Sequence, residues 1–179
     1  ETPLSDTEFE LLIHGTKLCY LTVGISPLNA KEFVRANAVP KLHDIINYGL
    51  YKNNHELLIC GLKAFTAVLQ FDTGLEAVAE LGAPFAENMY QILLLEKTIP
   101  LAVENGIEII ARASSSSVLQ TLMIEAGVTW LLMPMLLSYD NTVTGIDYSD
   151  ESQRVTHNQN ASNMHAILAC KALGRLGGF

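Results

Sequence analysis

Cysteine is scarce and scattered. Cys19, Cys60 and Cys170 are three in 179 residues, far apart and odd in number, which excludes a disulfide framework and any CxxC metal or redox motif. A reducing compartment fits that usage. Positive charge is also short: 11 Lys and Arg against 19 Asp and Glu leave a net charge of −8, and with no basic patch such a chain repels a phosphate backbone. Nucleic acid is therefore not an expected partner. The longest apolar stretch, around Val128 to Leu137, contains Thr129 and Pro134 and falls well short of the roughly 20 residues that span a bilayer, so no transmembrane segment is expected. No charged n-region leads into an apolar one, and the chain opens on Glu1 and closes on Gly177-Gly178-Phe179, which reads as a piece of a longer polypeptide.

Site chemistry is equally hard to find. The five histidines, His14, His43, His55, His157 and His165, form no HExxH and no pair at helical spacing, and none has a cysteine at a zinc-finger interval, so neither a metal nor another cofactor is expected. Neither GxGxxG nor GxxxxGK[ST] occurs, so no loop cradles a nucleotide phosphate. The Ser114 to Ser117 run lacks the GxSxG context of a nucleophile elbow and reads as a turn plus a helix cap. An enzyme is not expected. Aromatic residues make up only 7% of the chain, and Trp130 is the sole tryptophan. It opens a very apolar segment, where a core role is the expectation, and Pro134 is expected to kink that segment.

What is present is apolar and periodic. With 49% hydrophobic and 17% charged residues and a mean hydropathy of +0.25, the chain buries enough surface to fold and is no disordered tail. Asn29 precedes Glu32 by three, Thr73 precedes Glu76 and Ser117 precedes Gln120, each a capping-box pair ahead of an apolar run. These boxes are 44 residues apart. Each opens a short helix, a tight corner and a second helix, the corners reading Asn37-Ala38-Val39-Pro40, Leu81-Gly82-Ala83-Pro84 and Ala126-Gly127-Val128-Thr129. Asn or Gly there permits a left-handed residue, and Pro pre-sets the next turn.

A third, longer helix follows in each unit. Apolar residues recur on one face, as in Leu58, Leu62, Phe65 and Leu69, or Val103, Ile107 and Ile110, and again in Ile167, Leu168, Ala169, Ala172, Leu173 and Leu176. Gly15, Gly61 and Gly106 fall in register, which predicts a close backbone approach at each. Cys170 takes the equivalent place in the last copy and reads as a small buried thiol. Residues 1–28 then give one third-type helix, 29–72 and 73–116 complete units, and 117–179 a unit 19 residues too long. The excess, about 140–160, holds Asp140, Asp147, Asp150 and Glu151 and predicts an acidic, mobile loop. Asn160-Ala161-Ser162 matches a glycosylation sequon, expected to be unused without a secretory signal. Three helices per roughly 44 residues is the pattern of armadillo and HEAT repeats, so the expected fold is an all-α, right-handed α-solenoid. Such solenoids bind along faces lined by third helices, which makes Lys17, Lys63, Glu108, Lys171 and Arg175 candidate protein contacts, with Asp147, Asp150 and Glu151 of the acidic loop as a rival site for a basic partner.

The last unit adds a resemblance. Ala126-Gly127-Val128-Thr129-Trp130-Leu131-Leu132, Tyr139-Asp140-Asn141-Thr142, Ser149-Asp150-Glu151-Ser152 and the closing Ala172-Leu173-Gly174-Arg175-Leu176-Gly177-Gly178-Phe179 resemble the armadillo-like region of the receptor-mediated endocytosis DnaJ family. The resemblance is most specific over 122–179. It implies a segment of a very large cytoplasmic co-chaperone, peripheral on early endosomes, that acts in endocytosis and endosomal sorting. It further implies, for the full-length family, an Hsp70-type chaperone, a sorting nexin and an actin-nucleating endosomal complex as partners. The His-Pro-Asp triad of a J domain and the family's Ile-Trp-Asn repeat motif are absent, so no family site residue carries over. A peptide-gripping armadillo adaptor of nuclear transport or cell junctions is the rival reading, but its Asn and Trp ladder is missing, since no unit except the last carries Trp.

Overall fold

A computed structural model describes residues 6–139 and 152–177. Among these residues every element is helical and no strand occurs: α1 (Asp6–Val23), α2 (Pro27–Arg35), α3 (Ala38–Tyr51), α4 (His55–Val68), α5 (Asp72–Ala79), α6 (Ala83–Leu93), α7 (Pro100–Ala113), α8 (Ser117–Glu125), α9 (Val128–Leu137) and α10 (Ser152–Leu176). The short helices α2, α5 and α8 start at residues 27, 72 and 117, a spacing of 45. Asn37, Gly82 and Gly127, which precede α3, α6 and α9, all have positive φ and are again 45 apart. Each corner thus uses a residue that tolerates the left-handed region. The arrangement is compatible with a helical repeat.

The helix starts differ from the capping boxes expected. Ser26, not Asn29, caps α2, accepting the Asn29 N–H at 3.2 Å, with Pro27 in the first turn. Asn29 instead donates its side-chain amide to the Thr22 carbonyl at 2.9 Å, fastening α2 to the end of α1. Glu32 pairs with Arg35 on the exposed face. Neither α5 nor α8 has a side-chain cap, and Thr73 lies inside the first turn of α5. Gln120 does not reach back to Ser117: its amide donates to the carbonyls of Arg175 and Leu176 at 3.1 and 2.7 Å. The unpaired carbonyls at the end of α10 compete successfully for that donor.

The long helices make a row. α1 packs on α4, α4 on α7 and α7 on α10, while α3, α6 and α9 pack on the long helix of their own triplet. One apolar cluster runs from Val23 to Leu176, so consecutive triplets share a core. Phe65 of α4 stacks on Phe85 of α6, ring centroids 5.5 Å apart, a pair worth about 0.5–1.5 kcal/mol beyond its buried area. Leu58, Leu62, Phe65, Leu69, Val103, Ile107 and Ile110 are all buried, as the periodicity requires.

Of the three glycines in register, Gly61 and Gly106 meet side chains rather than backbone. A Cβ on Gly61 would lie 2.9 Å from Ile46 Cγ1, and one on Gly106 would lie 2.8 Å from Ile92 Cγ2. A β-branched residue of α3 or α6 therefore sits in the notch that each glycine leaves. Gly15 has nothing within 4 Å of its notch, because no second-type helix precedes α1 among the described residues. In α10 the buried small residue is Ala169, whereas Cys170 is exposed and Ile167 is exposed too. The last triplet is thus in register one residue earlier than its cysteine suggests. Cys170 takes the place of Leu62 and Ile107, which are both buried.

Two more expectations change. Trp130 is 74% exposed rather than in the core. α9 is one helix from Val128 to Leu137 with Pro134 inside it; the carbonyl that loses its helical partner to that proline is that of Trp130, in the first turn. Of the expected acidic loop, residues 140–151 lie outside the described residues, while 152–160 belong to α10.

Candidate interaction surface

The five charged residues expected to line a binding face do lie on the long helices, but each also ties one helix of the row to the next or sits beside such a tie. Lys17 Nζ on α1 donates to Glu56 Oε1 on α4 at 2.7 Å. Lys63 of α4 lies over the Tyr20 ring of α1, 5.9 Å from its centroid. Lys171 Nζ of α10 is 3.5 Å from Glu108 Oε2 of α7, and Glu108 also pairs with Arg112 at 2.9 Å. Arg175 Nη1 of α10 donates to the Ala111 carbonyl of α7 at 2.5 Å. Hydrogen bonding to Glu56 raises the Lys17 pKa, and the same bond, with the ammonium charge, lowers that of Glu56. The arrangement is a ladder of mixed ties, two ion pairs, a cation–π contact and a hydrogen bond to a carbonyl, and solvent screens the exposed ion pairs. Asp147, Asp150 and Glu151 lie outside the described residues.

Where α4, α5, α7 and α10 end or begin, a depression of about 440 Å³ is lined by Gln70, Asp72, Arg112, Ser114, Ser115 and Arg175 among others. Several of its groups are turned back on the fold. Ser114 and Ser115 donate to the carbonyls of Ile110 and Arg112 at 2.6 and 2.7 Å, Arg112 pairs with Glu108 and Arg175 donates to the Ala111 carbonyl. The serine run is thus the end of α7 and the turn into α8. His165 is buried, with Nε2 3.1 Å from the Pro100 carbonyl and Nδ1 3.7 Å from Glu96, and so secures α10 against the start of α7. Among the described residues no three His, Cys, Asp or Glu side chains come together to hold a metal ion. Burial pushes the thiols of Cys19 and Cys60 up, away from the thiolate that nucleophilic chemistry needs.

A surface that the sequence reading missed stands out against its counterparts. The solvent side of α3 carries Lys41, Asp44 and Asn47, and that of α6 carries Glu87 and Gln91. α9 presents Trp130, Met133 and Leu137 there, the last 89% exposed. Val118 and Ile124 of α8 and Tyr139 are exposed as well, and Glu125 is the one charged residue between Ala113 and Tyr139. A large exposed apolar area with so little charge marks a contact surface more often than a solvated one. The available signal was that all ten residues of α9 but Thr129 are apolar: such a helix is wholly buried only if neighbours cover every side, and here α6, α8 and α10 cover part. No single helix among the described residues is long and apolar enough to cross a membrane; α8 and α9 are so only jointly, and they are bent by 80° where they meet.

No protein-family model matches the chain, and no solved structure matches it. It is 28% identical to DnaJ homolog subfamily C GRV2 of Arabidopsis thaliana over 184 residues, an alignment that takes in 98% of this chain and 7% of that protein. The chain therefore spans about one fourteenth of the relative's length. Similarity along nearly its whole length relates it to a DnaJ homolog subfamily C protein.

Proposed function

We propose that this chain is a non-catalytic, protein-binding segment of a large DnaJ-type co-chaperone, working as a stretch of right-handed armadillo or HEAT-like α-solenoid. The row α1, α4, α7 and α10, with 45-residue spacing of helix starts and corners, supports the solenoid. The similarity to a DnaJ homolog subfamily C protein supports the co-chaperone context. In this reading the longer protein acts in endocytic trafficking and endosomal sorting, is cytoplasmic and peripheral on early endosomes, and has protein partners: an Hsp70-type chaperone, a sorting nexin and an actin-nucleating complex. The units proposed are 1–28, 29–72, 73–116 and 117–179.

The observation that carries a binding role is the apolar side of α9, where Trp130, Met133 and Leu137 are exposed, whereas the solvent side of α3 carries Lys41, Asp44 and Asn47 and that of α6 carries Glu87 and Gln91. Aromatic anchors on such a surface supply large contact area at little entropic loss. Affinity capture from cytosol and from endosomal membranes tests it, comparing the chain with Trp130→Ser/Leu137→Ser. Loss of the captured proteins with unchanged helical circular dichroism is expected; equal capture by both sinks the assignment. A third arm deletes residues 141–151, which leaves α10 whole, and retention of the same proteins there assigns the contact to α9 rather than to Asp147, Asp150 and Glu151.

A further inference from the structure

α1 exposes a face that its counterparts bury. Aligning Gly15 with Gly61 and Gly106 places Leu11 opposite Leu57 and Ala102, and Leu18 opposite Ala64 and Ile109. The four counterparts have no exposed surface, whereas Leu11 is 72% and Leu18 is 62% exposed. The direction of that face is fixed by contacts. Leu57 clusters with Ile13 of α1, and a Cβ on Gly24, just after α1, would lie 3.5 Å from Ala67 of α4; in α10 the equivalent His165 bonds back to Pro100 of α7. In the triplets of α4 and α10 this side therefore meets the preceding long helix. Between Leu11, Leu12, Gly15 and Cys19 lies an apolar groove of about 300 Å³, and the Gly15 notch at its floor is empty where Ile46 and Ile92 occupy the other two.

We propose that this face of α1 is the seat of three further helices of the same polypeptide, lying upstream of Glu1. A second-type helix that belongs with α1 as α3 belongs with α4 sets a β-branched aliphatic side chain into the Gly15 notch, and the long helix of the triplet before it covers Leu11 and Leu18, as α1 covers Leu57. Continuity with the α1, α4, α7 and α10 row selects this occupant over an unrelated partner, and a relative some fourteen times longer has room for it. The inference rests on the solenoid reading and is independent of any endosomal role.

Two variants test it in two contexts, the 179-residue chain and the natural polypeptide extended upstream by those three helices. Gly15→Leu fills an open notch in the short chain, so its melting temperature is expected to hold or rise, since Leu is also the better helix former; in the extended chain it collides with the seated side chain and the melting temperature falls. Leu11→Cys is expected to react with a maleimide at least about tenfold more slowly in the extended chain, as burial protects it. Equal labelling in both contexts overturns the proposal, as does a loss of stability on Gly15→Leu in the short chain. A dimer of the short chain that Leu18→Glu dissociates would reassign the face to a second copy and also overturn it. None of these readouts involves α9 capture, so this inference and the partner-binding role fail separately. Failure of the solenoid itself would appear as loss of the α1 to α4 contact, read by hydrogen exchange on the unmodified chain.

Discussion

α4 and α9 are both rich in apolar residues, yet they end in opposite environments. α4 is enclosed by α1, α3 and α7, and nine of its fourteen residues are buried. α9 has neighbours on part of its circumference and leaves Trp130, Met133 and Leu137 in solvent. Apolar composition therefore says that a helix seeks cover, while the number of neighbours decides whether it finds it within the chain. That distinction separates stabilising residues from those free to meet a partner.

The sharpest way to break the comparison is to truncate one large side chain in each helix. Phe65→Ala removes a fully buried ring stacked on Phe85 and is expected to cost about 3–5 kcal/mol in urea unfolding. Trp130→Ala removes a larger ring and is expected to cost within about 0.5 kcal/mol. Comparable losses would mean that α9 is covered after all. Next in size is Gly106→Ala, which crowds Ile92; about 1–3 kcal/mol of overpacking opposes roughly 1 kcal/mol gained in helix propensity, leaving a net loss read as a lower urea midpoint.

Thiol labelling extends the contrast to the end of the row. Cys60 is buried on α4, Cys19 partly so, and burial raises both pKa values, whereas Cys170 is exposed on α10. Peptide-resolved alkylation at neutral pH is expected to modify Cys170 first and Cys60 last. Early loss of the Cys60 thiol in the folded chain would show that α1 does not cover α4.

How much of this was legible in the sequence depends on what each signal measures. The corners were readable because Asn37, Gly82 and Gly127 answer to local backbone geometry alone, whereas the period, 44 by the capping boxes, is 45 at the helix starts. Buried positions of α4 and α7 were readable because both helices are enclosed and their apolar residues recur at helical spacing. Caps were misassigned because Asn29 and Gln120 found distant carbonyls at Thr22 and Leu176, a tertiary competition that no local motif reports. The exposed side of α9 and the side of α10 bearing Cys170 were missed for a related reason. Both are the same in composition as the covered sides of α4 and α7, and only the neighbours differ. The charged residues on the long helices were located correctly on their elements, but their partners across the row, Glu56, Tyr20 and the Ala111 carbonyl, emerge only from packing.

The smallest expected effect concerns the ladder that joins the long helices. Glu56 has its pKa lowered by Lys17 in the folded chain, so the stabilisation is fully present above the unfolded carboxylate value and is lost as pH falls through the folded one. Lys17, raised by the same bond, contributes below the unfolded lysine value and loses its contribution as pH climbs through the folded one. Between those limits the pair is intact. Both side chains are substantially exposed, so solvent screening keeps the contribution small. Lys17→Met is therefore expected to shift the melting temperature only slightly at neutral pH, to flatten its decline on acidification, and to leave it unchanged in high salt. A steep acid dependence surviving in Lys17→Met would place the sensitive carboxylate elsewhere in the chain.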